Sequence, residues 1–262
     1  MTRYPSAIQI ETSTRCSGKC YFCPHGKRKE QNALMSEECF LKIVHEVASW
    51  PVKPMVCCPF MTNEPFEDER MIEWCRVINL EWPKTSLVFF TNGAFLDEAK
   101  CRELLTLQNV DLVHFTISSA DWAIHAGRTG LDLFKTYAAI DRLSRSLKVA
   151  LHVISPAYDE IEMAALTARF ASAPVSWGSV THWAGQMGKP KQVNPDTTRP
   201  CPRSDQLCIL WDGRVALCCL DYDGKYSPGN INERPLLDIY NDQGRWDRLS
   251  NRNSEPCNEC EA

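Results

Sequence analysis

The sequence predicts an α/β protein, a partial (β/α)6 barrel followed by a small C-terminal module made of a β-hairpin and a helix. Three observations predict it. Apolar, β-branched segments alternate with segments of helical period as far as about residue 180. Three closely spaced cysteines follow the first of those strands. Beyond a stretch punctuated by glycine and proline, more cysteines flank a hairpin signal near the end of the chain.

The strands come first in the argument. Segments 7–12, 54–60, 86–91, 112–117, 148–154 and 175–180 are short and rich in apolar or β-branched residues, so six strands are expected. Helical period falls between them: Phe40, Ile43, Val44 and Val47 after a Ser36 cap, then 67–78 and 97–107. It returns at Leu133, Tyr137, Ile140 and Leu147, and at Met163, Leu166 and Phe170. Six βα units are too few to close an eight-fold barrel, so an open barrel with function on its C-terminal rim is expected. This barrel is expected to occupy 1–185, with a linker over 186–200 marked by Gly188, Pro190, Pro195 and Pro200. The module over 201–262 holds strands at 206–211 and 214–220 around Asp212-Gly213, a strong hairpin turn, and a helix over 236–246.

With 262 residues, 44% of them hydrophobic, the chain can bury a sizeable core. No apolar run is long enough to span a bilayer, and the N-terminus lacks the apolar core of a signal peptide. A cytoplasmic protein without a membrane partner is therefore expected. The net charge is −4 and basic residues are scattered, so no nucleic-acid stripe is visible. Lys27-Arg28-Lys29 reads as a solvated loop, and His25 as an exposed loop histidine.

In a reducing compartment 14 cysteines point to metal or redox chemistry rather than to disulfides. Cys16, Cys20 and Cys23 are spaced Cys-x3-Cys-x2-Cys, with Phe22 before the last and Pro24 after it. Three such thiolates can hold three irons of a 4Fe-4S cluster and leave the fourth open to a small molecule. Cys57, Cys58, Cys208 and Cys219 have no such pattern and read as small buried hydrophobes.

With Cys16, Cys20, Cys23 and Phe22, the segments Thr62-Asn63-Glu64-Pro65 and Thr91-Asn92-Gly93 make the chain similar to the radical S-adenosylmethionine (SAM) enzymes. The second segment resembles the family's Gly-Gly-Glu-Pro stretch that holds the SAM amino group, with Asn63 in place of a glycine. The resemblance implies that Phe22, Asn63, Glu64, Thr91 and Asn92 contact SAM. It implies too that Ser118 meets the ribose and Arg128 the carboxylate. Cys201-x11-Gly213-x4-Cys218, Gly229-Asn230-Ile231 and Cys257-x2-Cys260 resemble the Twitch or SPASM extension. Cys201, Cys218, Cys257 and Cys260 would then ligate one auxiliary 4Fe-4S cluster. Adjacent strand residues face opposite ways, so only one of Cys218 and Cys219 can aim at it, and the spacing favours Cys218. A structural zinc on the same four cysteines is the alternative.

The resemblance implies reductive cleavage of SAM to a 5′-deoxyadenosyl radical, which takes hydrogen from a substrate C–H bond, with flavodoxin or ferredoxin as electron donor. Length, cysteine layout and Gly-Asn-Ile bring the chain near the 2-deoxy-scyllo-inosamine dehydrogenase-like members. These oxidise a small polar alcohol, an aminocyclitol or sugar. Those members carry an arginine before a Gly-Gly pair where this chain has His182-Trp183-Ala184-Gly185. His182 and Trp183 are candidates to line the substrate cavity or to pack the domain junction. Oxidation, crosslinking or epimerisation of a peptide is the rival enzyme reading, and an iron-sulfur electron carrier the non-enzyme one.

Overall fold

A computed structural model describes residues 2–188, 201–253 and 255–260. The strands are β1 (Ala7–Ile10), β2 (Val56–Cys58), β3 (Ser86–Thr91), β4 (Val110–Ile117), β5 (Val149–Ile154), β6 (Val175–Gly178), β7 (Gln206–Ile209), β8 (Arg214–Ala216) and β9 (Gly229–Asn230). They form one sheet in the order β6-β5-β4-β3-β2-β1-β7-β8-β9, with β1 to β6 parallel and neighbours in sequence adjacent in space. That order, with right-handed crossovers, puts every connecting helix on the same face of the sheet. All six expected barrel strands are present.

The helices are α1 (Glu37–Ser49), α2 (Met71–Glu81), α3 (Glu98–Leu104), α4 (Trp122–Thr129), α5 (Leu133–Leu143), α6 (Glu160–Arg169), α7 (Leu236–Tyr240) and α8 (Gln243–Ser250). Most begin at a side chain that accepts a backbone N–H: Ser36 from Cys39, Asp97 from Lys100, Asp132 from Phe134, Asp159 from Glu162. Strand residues Ile8, Ile10, Leu87, Phe89, Val113, Phe115, Leu151 and Val153 alternate toward the helices and are 0% exposed. With Phe40, Ile43, Val44 and Val47 of α1 they form the main core.

Two elements depart from expectation. The helix expected over 236–246 is two, because Asp242 caps a new start through the Arg245 amide. Helix α4 was not expected, although Asp121 caps its start and Gly130, at φ +71°, ends it.

The C-terminal hairpin continues the barrel sheet. β7 pairs parallel with β1 from Ala7↔Gln206 to Ile10↔Ile209, and β8 and β9 follow antiparallel. The two cysteine-rich ends of the chain thus lie on neighbouring strands. Of the expected linker, 189–200 lies outside the described residues.

Candidate active site

The cysteine loop leaves β1 at the C-terminal end of the sheet, where open α/β folds bind ligands. It is held to α4 by the Lys19 amide on the Thr129 carbonyl (2.7 Å) and the Tyr21 amide on the Arg128 carbonyl (3.2 Å). On the other side the Ser17 hydroxyl donates to Glu67 (3.1 Å). Cys16 and Cys20 face each other across Gly18, where a Cβ would lie 3.4 and 3.5 Å from their sulfurs. Burial pushes the Cys20 thiol up to about 12 and raises Cys16 and Cys23 as well; neighbouring thiolates add to the rise at Cys16 and Cys20, while Arg28 pulls Cys23 back. Three half-buried thiolates so close together need a cationic centre, and iron supplies one.

Behind the loop Lys27 and Lys29 are exposed as expected, but the residue between them is not. Arg28 turns inward, its guanidinium clamping both oxygens of Glu11 and reaching the Thr62 hydroxyl at 2.7 Å. The two side chains are 2% and 0% exposed. Pairing raises the Arg28 pKa, while burial raises that of Glu11 against the pull of the same pair. His25 is also buried rather than exposed, its Nε2 donating to the Thr14 carbonyl at 2.7 Å. Both residues brace the loop against the strand that precedes it.

Glu64 follows β2 and is 2% exposed. It accepts from the Thr91 hydroxyl (2.6 Å) and from the amides of Asn92 (2.8 Å) and Phe66 (3.2 Å). Burial nevertheless lifts its carboxyl to about 7. Gly93, at φ +75°, is required where Thr91-Asn92 turns, since a Cβ there would sit 2.9 Å from Phe115. Asn63 accepts the Met61 amide at 3.0 Å, but its buried Nδ2 has no partner.

These parts meet in one cavity of about 170 Å³. Cys16, Cys20 and Cys23 line it with Phe22, Asn63, Glu64, Thr91, Asn92 and Trp183. The orphaned Asn63 Nδ2, the uncompensated Glu64 carboxylate and the three thiols fit a zwitterionic ligand seated on an iron-sulfur cluster.

Ser118, Arg128 and His182 do not border this cavity. The Ser118 hydroxyl donates to the Ile154 carbonyl (3.0 Å), and the backbone around it is held by His125 and Arg128. Arg128 lies at the outer side of the loop, close enough to Tyr21 to lower that phenol's pKa against the rise from burial.

Cys201, Cys218, Cys257 and Cys260 ring a second, small space together with Arg203 and Arg252. Cys219 does not border it, and packs instead against the cluster of Met61, Cys208, Leu210 and Ala216. Among the described residues no three His, Cys, Asp or Glu side chains converge on a single-ion position.

Trp183 joins the two sites. Its indole N–H donates to the Phe22 carbonyl (2.9 Å), and its ring meets Tyr222 edge-on at 6.3 Å. It thus lines the cavity and packs the junction together. Gly185, at φ +79°, lies against Glu259, and Gln186 donates to the Leu220 carbonyl at 2.7 Å.

Two residues of the sheet's open face escaped the sequence reading. His114 and His152 lie on strands that bring Thr116, Ile117 and Ile154 to the cavity. Their signal was the polar alternation in 112–117 and 148–154, which was used only to place strands.

Residues 10–168 match the family described as the Radical SAM superfamily, and residues 201–261 match SPASM, an iron-sulfur cluster-binding domain. No curated protein sequence matches. Among solved structures the chain is similar to BtrN in complex with AdoMet and 2-DOIA, at 18% identity and TM-score 0.72, covering 100% of this chain and 95% of that one. It is also similar to Streptococcus suis SuiB bound to precursor peptide SuiA, at 12% identity and TM-score 0.75, covering 94% and 67%. A third is anSMEcpe with bound AdoMet, at 17% identity and TM-score 0.71, covering 98% and 83%. The chain therefore belongs to the radical SAM superfamily, with a C-terminal SPASM domain, and its cofactors are SAM and two 4Fe-4S clusters.

Proposed function

We propose that this enzyme oxidises a small polar alcohol, an aminocyclitol or sugar, by two electrons. The observation that carries the proposal is the nearness of two thiol sets, one bordering the cavity that Trp183 lines and the other ringing the space that its chain neighbour Ala184 lines. SAM bound at a reduced cluster supplies a carbon radical able to remove a hydrogen atom from an unactivated C–H bond. Cys16, Cys20 and Cys23 would ligate that cluster. Glu64, held by Thr91 and Asn92, would accept the SAM amino group, while Asn63 Nδ2 donates to its carboxylate. Phe22 would flank the nucleoside. Ser118 would act through the strand end it braces, and Arg128 at the mouth. Trp183 would exclude water and His182 fix the turn that carries it, through its carbonyl on the Met187 amide. Cys201, Cys218, Cys257 and Cys260 would hold the auxiliary cluster. The proposed domain limits remain 1–185 and 201–262. Flavodoxin or ferredoxin would deliver the first electron. No described helix is long and apolar enough to cross a membrane.

Reconstituted protein is expected to carry about eight irons. With 2-deoxy-scyllo-inosamine deuterated at the reacting carbon, deuterium should appear in 5′-deoxyadenosine beside a ketone. About four irons, or bound zinc, would remove the auxiliary cluster from the scheme. Deuterium drawn instead from a peptide would favour the peptide-modifying reading, which the likeness to peptide-bound SuiB supports.

Glu64→Gln is expected to weaken SAM binding about 10- to 100-fold, the value of a charge-assisted hydrogen bond. In the parent the ionised carboxylate is the acceptor and its pKa is about 7. Affinity by equilibrium dialysis should therefore fall as pH drops below 7 and level off above it. An unchanged affinity in Glu64→Gln, or a pH-independent one in the parent, would exclude this contact.

A further inference from the structure

The face of the sheet opposite the helices runs from the cavity into the barrel. Phe90, Thr116 and Ile154 border the cavity from β3, β4 and β5. His152 is in register with Thr116 across the strand pair and precedes Ile154 by two residues. Side chains two apart on a strand share a face, so His152 lies one layer below the rim. His114 lies beside it, its ring stacked on Phe90 at 4.4 Å, with Phe90 stacked on Phe60 at 5.0 Å. An apolar wall and two imidazoles thus lie on the same face of the sheet, one layer below the residues that border the cavity.

The Ser176 hydroxyl lies 2.9 Å from His152 Nδ1 and 3.2 Å from the Leu151 carbonyl, so Nδ1 is the nitrogen engaged by the strand next to it. When the hydroxyl donates to the carbonyl it accepts from Nδ1–H, and in that arrangement Nε2 keeps its lone pair. Gly178 makes room for that nitrogen: a Cβ there would lie 2.5 Å from Nε2. Burial lowers the pKa of both imidazoles, and the charge of His152 opposes that of His114, which keeps them neutral near pH 7.

We propose that His152 Nε2 accepts the hydrogen bond, and then the proton, of the substrate hydroxyl on the carbon that is oxidised. This rests on the dehydrogenase reading above. The carbon first loses its hydrogen atom to the SAM-derived radical, giving 5′-deoxyadenosine. Its unpaired electron then passes to the oxidised auxiliary 4Fe-4S cluster as the O–H proton moves to Nε2, leaving a C=O group, a cluster reduced by one electron and an imidazolium. The electrons and protons balance without another reactant.

Two measurements test it. Nitrogen-15 NMR of histidine-labelled oxidised holoenzyme, assigned by loss of one signal in His152→Gln, should show Nδ1 protonated and Nε2 bare at pH 7. The Nε2–H tautomer, or a cation, overturns the assignment whatever the substrate. With deuterated 2-deoxy-scyllo-inosamine, His152→Gln should still remove deuterium from the substrate at a rate within a few-fold of the parent. Ketone formation should fall about 100-fold or more, the usual contribution of a general base. Undiminished ketone, or equal loss of both steps, overturns the role. A parent enzyme that removes no deuterium from the cyclitol overturns the dehydrogenase reading and the proton transfer with it, whereas the tautomer result judges the acceptor geometry separately.

Discussion

Replacing Cys16, Cys20 and Cys23 together with alanine is expected to lower bound iron from about eight to about four per chain and to abolish 5′-deoxyadenosine formation from SAM and dithionite. The three half-buried thiols border one cavity with Glu64 and Asn63, and desolvation there raises the cost of any thiolate that lacks a metal. Removing all three leaves no ligand set from which a cluster could form there. Cys75→Ala provides the control. That thiol is fully buried, in α2, but it donates to Met71 Sδ (3.8 Å) within the main core and does not border the cavity, so its loss should leave iron and SAM cleavage intact. Iron and sulfide analysis with chromatography of the nucleoside decides between the outcomes. SAM cleavage undiminished in the triple variant would place the open iron elsewhere in the chain.

Arg28→Ala is expected to cost the largest share of stability among single substitutions around the site, about 3 to 5 kcal/mol, because it strands Glu11 as an unpaired buried charge. Thr62, 3.3 Å from the carboxylate, cannot replace two guanidinium contacts. The loss should depend on pH with a definite sign. Burial raises the folded-state pKa of Glu11 even beside Arg28, so without Arg28 the folded protein holds a proton there that the unfolded chain releases. Stability is then greatest below the unfolded carboxylate pKa and declines as pH rises through the folded one. Urea unfolding of the reconstituted variant should accordingly show a larger deficit at pH 8 than at pH 5. Glu11→Gln with Arg28→Met should recover part of it by removing the charge. Equal deficits at both pH values would mean that Arg28 acts through packing alone.

Much of the barrel was legible because its signals are local. A strand of period two, a helix of period 3.6 and caps such as Ser36 and Asp97 are written within a dozen residues. Helix α4 was missed because its pattern is short, although Asp121 and Gly130 mark both ends. The fate of Arg28 within Lys27-Arg28-Lys29 was not legible, since a basic run looks solvated until a buried carboxylate is placed opposite it. Glu11 is 17 positions away in sequence. His25 was misread for the same reason, its partner being the carbonyl of Thr14 on the returning chain.

The sequence by itself grouped Cys16, Cys20 and Cys23 after the first strand and set Glu64 and Thr91-Asn92 at strand ends, and the resemblance those segments carry supplied SAM and the auxiliary cluster. Spacing is enough for the first grouping, because ligands within one loop stay close in any fold. Only the tertiary structure decided which residues share a space. It aligned β7 with β1, turned Cys218 and Cys219 to different surroundings, tied Ser118 to the Ile154 carbonyl and brought His152 below the cavity rim with its Nδ1 against the Ser176 hydroxyl. Those placements depend on register between strands far apart in sequence, and register is set by packing across the whole sheet.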